Sequence, residues 1–147
     1  MATPAATGVA RAGTRRRVLR WADRREDTRV QGPHDDEDGS ERIEVDARGS
    51  VTVVRPYGEM DLVRATAFHQ ALHDALTAEP RPARVVADLR HLAFCDSSGL
   101  NALLNARTLA VRAGQDLRLA GPRRQFLRLL EMTNASALFT IDPAPPF

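Results

Sequence analysis

Phe94-Cys95-Asp96-Ser97-Ser98-Gly99-Leu100-Asn101-Ala102-Leu103-Leu104 is the stretch on which the fold turns. An apolar run (Val85, Val86, Ala87, then Leu89 and Phe94) leads into it and stops at Asp96. Two hydroxyls and a glycine follow at once, and an apolar helical pattern starts at Leu100. This spacing predicts a strand feeding a helix through a tight turn, with Ser97 and Ser98 at the helix mouth. A helix start offers unpaired N–H groups and the positive end of the peptide dipole. A hydroxyl held there is exposed, capped and placed where an anion is tolerated. The arrangement suits a protein that must carry a phosphate on serine without unfolding.

Upstream of this turn the punctuation is regular. Ile43, Val45 and Ala47 alternate with charged residues, as in a half-exposed strand, and Gly49-Ser50 makes a turn into Val51, Val53 and Val54. The two segments should pair as a hairpin, ended by Pro56 and Gly58. A helix is expected from Asp61 to Glu79, with Leu62, Ala65, Phe68, Leu72, Ala75 and Leu76 on its apolar stripe and Pro80 and Pro82 beyond its end. Arg84 to Leu89 reads as a buried strand. Downstream, the serine-headed helix runs to Ala113, where Gly114 stops it. Leu117 and Leu119 mark another strand, closed by Gly121. Pro122 suits the first turn of a last helix striped by Phe126, Leu127, Leu130 and Met132, with Asn134 as its left-handed end. Leu138 to Ile141 adds an edge strand before Pro143, Pro145 and Pro146.

The order is β-β-α-β-α-β-α-β. The βαβ steps require parallel strands with right-handed crossovers, and the opening hairpin makes the sheet mixed. An α/β fold follows: one mixed sheet of four to five strands, with helices packed mainly on one face.

The chain has 147 residues, enough for one ordinary domain, and 43% are hydrophobic, while aromatics at 5% make the core aliphatic. The formal charge of +2 is too small for a nucleic-acid binder. All 21 basic residues are arginine, which GC-rich coding explains more simply than a need for guanidinium chemistry. The lone Cys95 excludes an internal disulfide and any multi-cysteine metal site. No apolar stretch approaches the ~20 residues of a membrane span, and the start lacks a signal core, so a cytoplasmic location is expected. Residues 1–40 differ in kind from the rest. Arginines crowd residues 11–29, and Asp35, Asp36, Glu37 and Asp38 form an acidic cluster. Opposite charge blocks without a hydrophobic face predict a disordered N-terminal tail, although Val18, Leu19 and Trp21 offer one weak amphipathic turn. The expected layout is a tail over 1–40, a folded domain over 41–142 and a short tail over 143–147. Removing residues 1–40 should then leave folding and partner binding nearly intact.

Three motifs stand in register. The strand, Asp96-Ser97-Ser98-Gly99-Leu100, the helix and then Leu117-Arg118-Leu119-Ala120-Gly121-Pro122 resemble the STAS domain of bacterial anti-sigma factor antagonists. Gly58-Glu59-Met60-Asp61 is similar to that family's Gly-Glu-Leu-Asp signature. The likeness runs from Ile43 to Asp142. It implies that Ser97 is the phosphorylation target and that Asp61 and Asp96 are the acidic residues beside it. Asp61, Asp96, Ser98, Gly99 and Asn101 would then meet the partner. That partner is implied to be an anti-sigma factor that is also an ATP-dependent serine kinase with a histidine-kinase-like fold, and a serine phosphatase resets the switch. The resemblance implies no catalysis and no cofactor of the chain's own. Two departures adjoin the motif: Asn101 replaces a common glycine, and Cys95 replaces a larger apolar residue. Asn134-Ala135 stands in place of a common Gly-Leu.

Rival chemistries fit less well. A hydrolase nucleophile needs Gly-x-Ser-x-Gly, yet Cys95 holds the first glycine position, and all four histidines (His34, His69, His73, His91) precede the serine. His69 and His73 share a helix face without an evident third ligand, which favours a solvated face over zinc. No Gly-rich phosphate loop is present. Plain helix capping explains either serine alone. The serious alternative is another non-catalytic role, as a STAS accessory or scaffold subunit of a transporter or signalling assembly.

Overall fold

The computed structural model describes residues 13–20 and 41–147. Its elements are β1 (Thr14–Arg20), β2 (Arg42–Arg48), β3 (Val51–Pro56), β4 (Gly58–Met60), α1 (Leu62–Thr77), β5 (Arg84–Asp88), β6 (Leu92–Cys95), α2 (Ser97–Ala113), β7 (Asp116–Ala120), α3 (Arg124–Met132) and β8 (Thr140–Asp142). Among the described residues, six strands form one mixed sheet in the order β1-β2-β3-β5-β7-β8. β2 pairs antiparallel with β1 on one side and β3 on the other, and the steps from β3 through β5 and β7 to β8 are parallel. The hairpin, the mixed sheet and the three crossover helices all follow the sequence pattern. Gly49, Gly114 and Asn134 have positive φ of 60°, 71° and 61°, as a turn and two helix ends require.

The sheet has one strand more than the pattern suggested. β1 lies inside the segment expected to be a disordered tail, and it pairs along its whole length with β2. Its sequence, Thr-Arg-Arg-Arg-Val-Leu-Arg, has no apolar alternation, so nothing local announces a strand. Pairing supplies the reason: Leu19 packs on the core and Arg16 reaches Glu44 at 3.5 Å. The weak amphipathic turn placed at Val18 and Leu19 is therefore strand. Trp21 and the acidic cluster Asp35, Asp36, Glu37 and Asp38 lie outside the described residues.

A second departure bears on the site. The strand expected over Arg84 to Leu89 is β5, but it does not feed α2 directly: β6 comes between them and belongs to a separate two-stranded parallel ribbon with β4. The chain turns at Leu89, whose carbonyl accepts from Leu92 N at 3.2 Å, and the Tyr57 ring stacks on His91 with centroids 4.6 Å apart. Apolar residues on both sides of the turn hide it in the sequence.

All three helices cover one face of the sheet. Phe68, Leu72 and Leu76 of α1, Leu100, Leu103 and Ala106 of α2, and Phe126 and Leu130 of α3 meet Ile43, Val54, Val85, Ala87, Leu117 and Leu119. Three expected stripe positions are instead exposed: Leu62 at 71%, Leu127 at 38% and Met132 at 76%. Leu62 and Met132 lie at helix ends, where the chain has not yet reached, or has already left, the apolar stripe. Leu127 follows Phe126 on the solvent side of α3, whose buried residues are Phe126 and Leu130.

The opposite face is ionic. Glu44, Asp46, Asp88 and Arg55 are all buried there. Arg55 Nε donates to Asp88 at 2.8 Å and its Nη1 lies 3.8 Å from both Glu44 and Asp46. Val53, Val86 and Ala120 make a small apolar island beside them, and Phe147 packs onto it. Arg55 Nη2 donates to the Phe147 main-chain oxygen at 2.6 Å, and the Arg48 guanidinium lies 4.3 Å from the Phe147 ring centroid. The segment 143–147, expected to be a loose tail, is thus held on the sheet. Three prolines suggested an end to order, but Phe147 has an apolar seat and a buried donor waiting for it.

Candidate functional site

Met60 and Cys95 are register partners in the β4–β6 ribbon, so the residues that follow them, Asp61 and Asp96, leave it side by side. The ribbon is closed there by Asp96 N donating to Met60 O at 3.3 Å. Each aspartate caps the next helix. Asp61 Oδ1 accepts from Arg64 N at 3.0 Å, and Asp96 Oδ1 accepts from Ser98 N at 2.9 Å. The Arg64 backbone N–H is the main reason that the Asp61 carboxyl is held below its ordinary range, with the Arg64 guanidinium adding to it. Arg64 also pairs with Glu41.

Ser97 is the first residue of α2 and is exposed. Its hydroxyl makes no hydrogen bond to another described residue. Ser98, next to it, is half-buried, and Asn101 is exposed one turn on, on the side of the helix that Ser97 occupies. The capping role belongs to Asp96, not to either serine. The anion cradle expected at this helix start is correspondingly smaller. Asp96 Oδ1 holds Ser98 N, and Asp96 O accepts from Gly99 N and Leu100 N at 3.1 and 3.4 Å. Among the first turn's donors the Ser97 N–H is the one left open, so a group attached to Ser97 finds its accommodation mainly in water.

Gly99 does not share this surface. It is buried, and a Cβ there would lie 2.3 Å from Cys95 Sγ and 2.8 Å from Met60 Cγ. Its place among partner-contacting residues is therefore corrected: it lets α2 pack down on the ribbon. Cys95 is fully buried, its Sγ lies 3.3 Å from Asp96 O, and burial, then the Asp96 charge, push its pKa up to about 12. Such a thiol stays protonated and unreactive near neutral pH.

Three residues at this end of the ribbon were not legible as site residues. Leu62 and Val63, directly after the Asp61 cap, are each 71% exposed, and Phe94 is 46% exposed. From Leu92 to Cys95 the burial of β6 runs buried, exposed, exposed, buried, so no alternation in the sequence marks Phe94. Gln125 was also missed. From the first turn of α3 it donates to Cys95 O at 2.9 Å and accepts from Cys95 N at 3.0 Å. Nothing in the sequence links positions thirty residues apart. His69 and His73 share a helix face as their spacing predicts, and open with Asn105 and Arg112 on a groove between α1 and α2. Among the described residues no three His, Cys, Asp or Glu side chains converge as a metal site, and no helix is long and apolar enough to cross a membrane.

The geometry can present the exposed Ser97 hydroxyl at a helix start, with Asp61 and Asp96 at the adjoining strand exits and three exposed apolar side chains at the same end of the ribbon. No curated protein matches the sequence. An anti-sigma factor antagonist from Mycobacterium paratuberculosis is similar at 26% identity and a TM-score of 0.61, covering 69% of this chain and 85% of that one. The Bacillus cell fate determinant SpoIIAA in its phosphorylated form is similar at 17% identity and a TM-score of 0.53, over 65% of this chain and 84% of its own. A sulfate transporter family protein from Wolinella succinogenes is similar at 16% identity and a TM-score of 0.56, over 65% and 78%. The last two show a shared fold. The family model described as the STAS domain matches residues 42–145, and the chain belongs to the STAS domain family.

Proposed function

We propose that this chain is an anti-sigma factor antagonist working by partner switching. Unmodified, it docks on an anti-sigma factor that is also an ATP-dependent serine kinase and so releases a sigma factor; phosphate on Ser97 ends the docking. The observation that carries this reading is the Ser97 hydroxyl, exposed at the first position of α2 and without a hydrogen-bond partner among the described residues. Asp61, Asp96, Ser98 and Asn101 would contact the partner, with Leu62, Val63 and Phe94 supplying the apolar area that docking needs. Gly99 acts from beneath by packing.

In the transfer step the Ser97 Oγ forms a bond to the γ-phosphorus of ATP, the bond to the β,γ-bridging oxygen breaks, and ADP leaves with that electron pair. The hydroxyl proton goes to a base of the kinase. This chain supplies the acceptor and its placement, with no catalytic group and no cofactor. The product carries about −1.5 to −2 charges at neutral pH. Free in water, the phosphate costs the fold little. Within a docked interface it would be buried beside Asp96 and near Asp61, where repulsion and desolvation of a few kcal/mol weaken binding by about a hundredfold or more. The setting is the cytoplasm, without direct nucleic-acid contact, and a serine phosphatase restores the active form.

The reading is favoured over a transporter-accessory or scaffold role by the antagonist at 26% identity, since the transporter-family likeness lies at 16% and speaks to fold alone. The test is incubation with the cognate kinase and ATP, followed by a phosphate-affinity gel. Wild type should shift and Ser97→Ala should not; a persisting shift on Ser97→Ala removes Ser97 from its role. Ser97→Asp should bind the kinase about a hundredfold more weakly. Equal binding would sink the electrostatic switch.

A further inference from the structure

We infer that Gln125 is a positioning residue for the Ser97 acceptor, clamping the strand that delivers it. The inference rests on phosphate acceptance by Ser97 and adds what fixes that serine's place. Among the described residues β6 has one strand neighbour, β4, and no strand pairs with its other edge. At the last residue of β6 the main chain alternates as strands do. Asp96 N points toward β4 and donates to Met60 O, while Cys95 N and Cys95 O point to the uncovered edge. The Gln125 amide meets both of these groups, at 3.0 and 2.9 Å, and thereby stands in for a neighbouring strand. One primary amide, with its donor and acceptor on separate atoms, satisfies both a donor and an acceptor of one residue, which no carboxylate or ammonium group does.

The clamp is anchored at its other end. Gln125 is half-buried in the first turn of α3, and the next residue, Phe126, is buried in the core with Leu130. Ser97 lies two residues past Cys95, and among the described residues its side chain has no hydrogen-bond partner to hold it. Its placement is therefore inherited from Cys95 and the Asp96 cap before it and from the α2 backbone that it opens. Phosphoryl transfer depends on alignment of acceptor oxygen and phosphorus, and a misplacement of about 1 Å costs up to roughly a hundredfold in rate. A loosened β6 exit would be felt as slower transfer more than as weaker docking.

Two full-length variants test this. Gln125→Met keeps the length and removes both hydrogen bonds. Gln125→Glu keeps the acceptor but sets a carboxylate oxygen against Cys95 O, and regains a donor when protonated. Amide exchange at Cys95, read by NMR, should quicken about tenfold in Gln125→Met. In Gln125→Glu, protection at Cys95 should return as pH falls through the carboxyl range, which loss of packing alone would not produce. With the cognate kinase and ATP, kcat for Gln125→Met should fall about tenfold with KM little changed. Arg128→Gln, exposed on the same helix, should match wild type in every assay, and circular dichroism confirms that each variant is folded. Wild-type exchange at Cys95 or wild-type kcat in folded Gln125→Met overturns the proposal. If wild type itself takes no phosphate on Ser97, the parent reading fails and the acceptor role with it, whereas the exchange data alone decide whether the clamp exists.

Discussion

Gly99 shows how much one missing methyl can hold up. A β-carbon at this position would meet Cys95 Sγ at 2.3 Å and Met60 Cγ at 2.8 Å, and neither neighbour has open space to retreat into. Gly99→Ala should therefore cost about 1–3 kcal/mol by overpacking, even though alanine is the better helix former. Pairing it with Cys95→Ala removes the sulfur from the clash, so the double variant should be more stable than Gly99→Ala alone. Urea unfolding of the four-member cycle checks this; additive losses would mean that the crowding is absent. The sequence announced a glycine at this turn but not its purpose. A glycine after two serines at a helix start reads as part of a recognition motif. Only the ribbon beneath, which no local pattern reveals, shows that it is a packing residue. Asp61, Asp96 and Ser97 were named through the motifs that resemble the STAS family. The local rules that placed a cap at this helix start assigned it to serine, where the structure has Asp96. Gln125, Phe94, Leu62 and Val63 were not legible, because tertiary neighbours decide where they point.

Among the elements, β1 is the one whose existence depends on its partner. It contributes one packed apolar residue, Leu19, a backbone ladder with β2 and an ion pair from Arg16 to Glu44. Such a strand is marginal alone. A chain starting at residue 41 should still fold, since the core residues of the helical face all lie beyond that point. It should nonetheless lose about 1–2 kcal/mol and expose the β2 edge to other chains. Thermal unfolding and light scattering of the two lengths test this, and equal stability with equal monodispersity would show that β1 adds nothing. The expectation that residues 1–40 are dispensable is thus narrowed to folding itself. Helices were easier to foresee than strands throughout. α1, α2 and α3 carry a period that solvent and core impose on any surface helix, whereas β4 and β6 are too short for period two to register.

At the scale of the whole molecule, groups in and beside the ionic cluster make stability depend on pH in two separate ranges. Burial pushes Asp88 up, yet hydrogen bonds from Arg90 and Arg55 outweigh it and hold the carboxyl below its ordinary value of 3.8. Its stabilisation is present above that value and is lost as pH falls through the folded-state pKa. His91, stacked on Tyr57, is also held low, first by burial and then by Arg90 and Arg55. For histidine the sign reverses the usual case. The unfolded chain takes up the proton first, so stability falls as pH drops below the ordinary value of 6.5 and levels out below the folded-state pKa. Urea midpoints should decline from about pH 7 to 5, and His91→Gln should flatten that decline without altering the steeper loss in stronger acid. An unchanged slope in His91→Gln would assign the decline to another group.

The arginines of β1 leave one more mark. Arg15, Arg16 and Arg17 stand exposed along a strand whose outer side no described strand covers. Two copies meeting there edge to edge would bring six guanidinium groups into one seam, which keeps the sheet from lengthening into a ribbon of many molecules. That guard is purely coulombic. Concentrated salt shortens its reach to about 3 Å at 1 M, so the protein should be least sociable in dilute buffer and should begin to associate through this seam as ionic strength climbs.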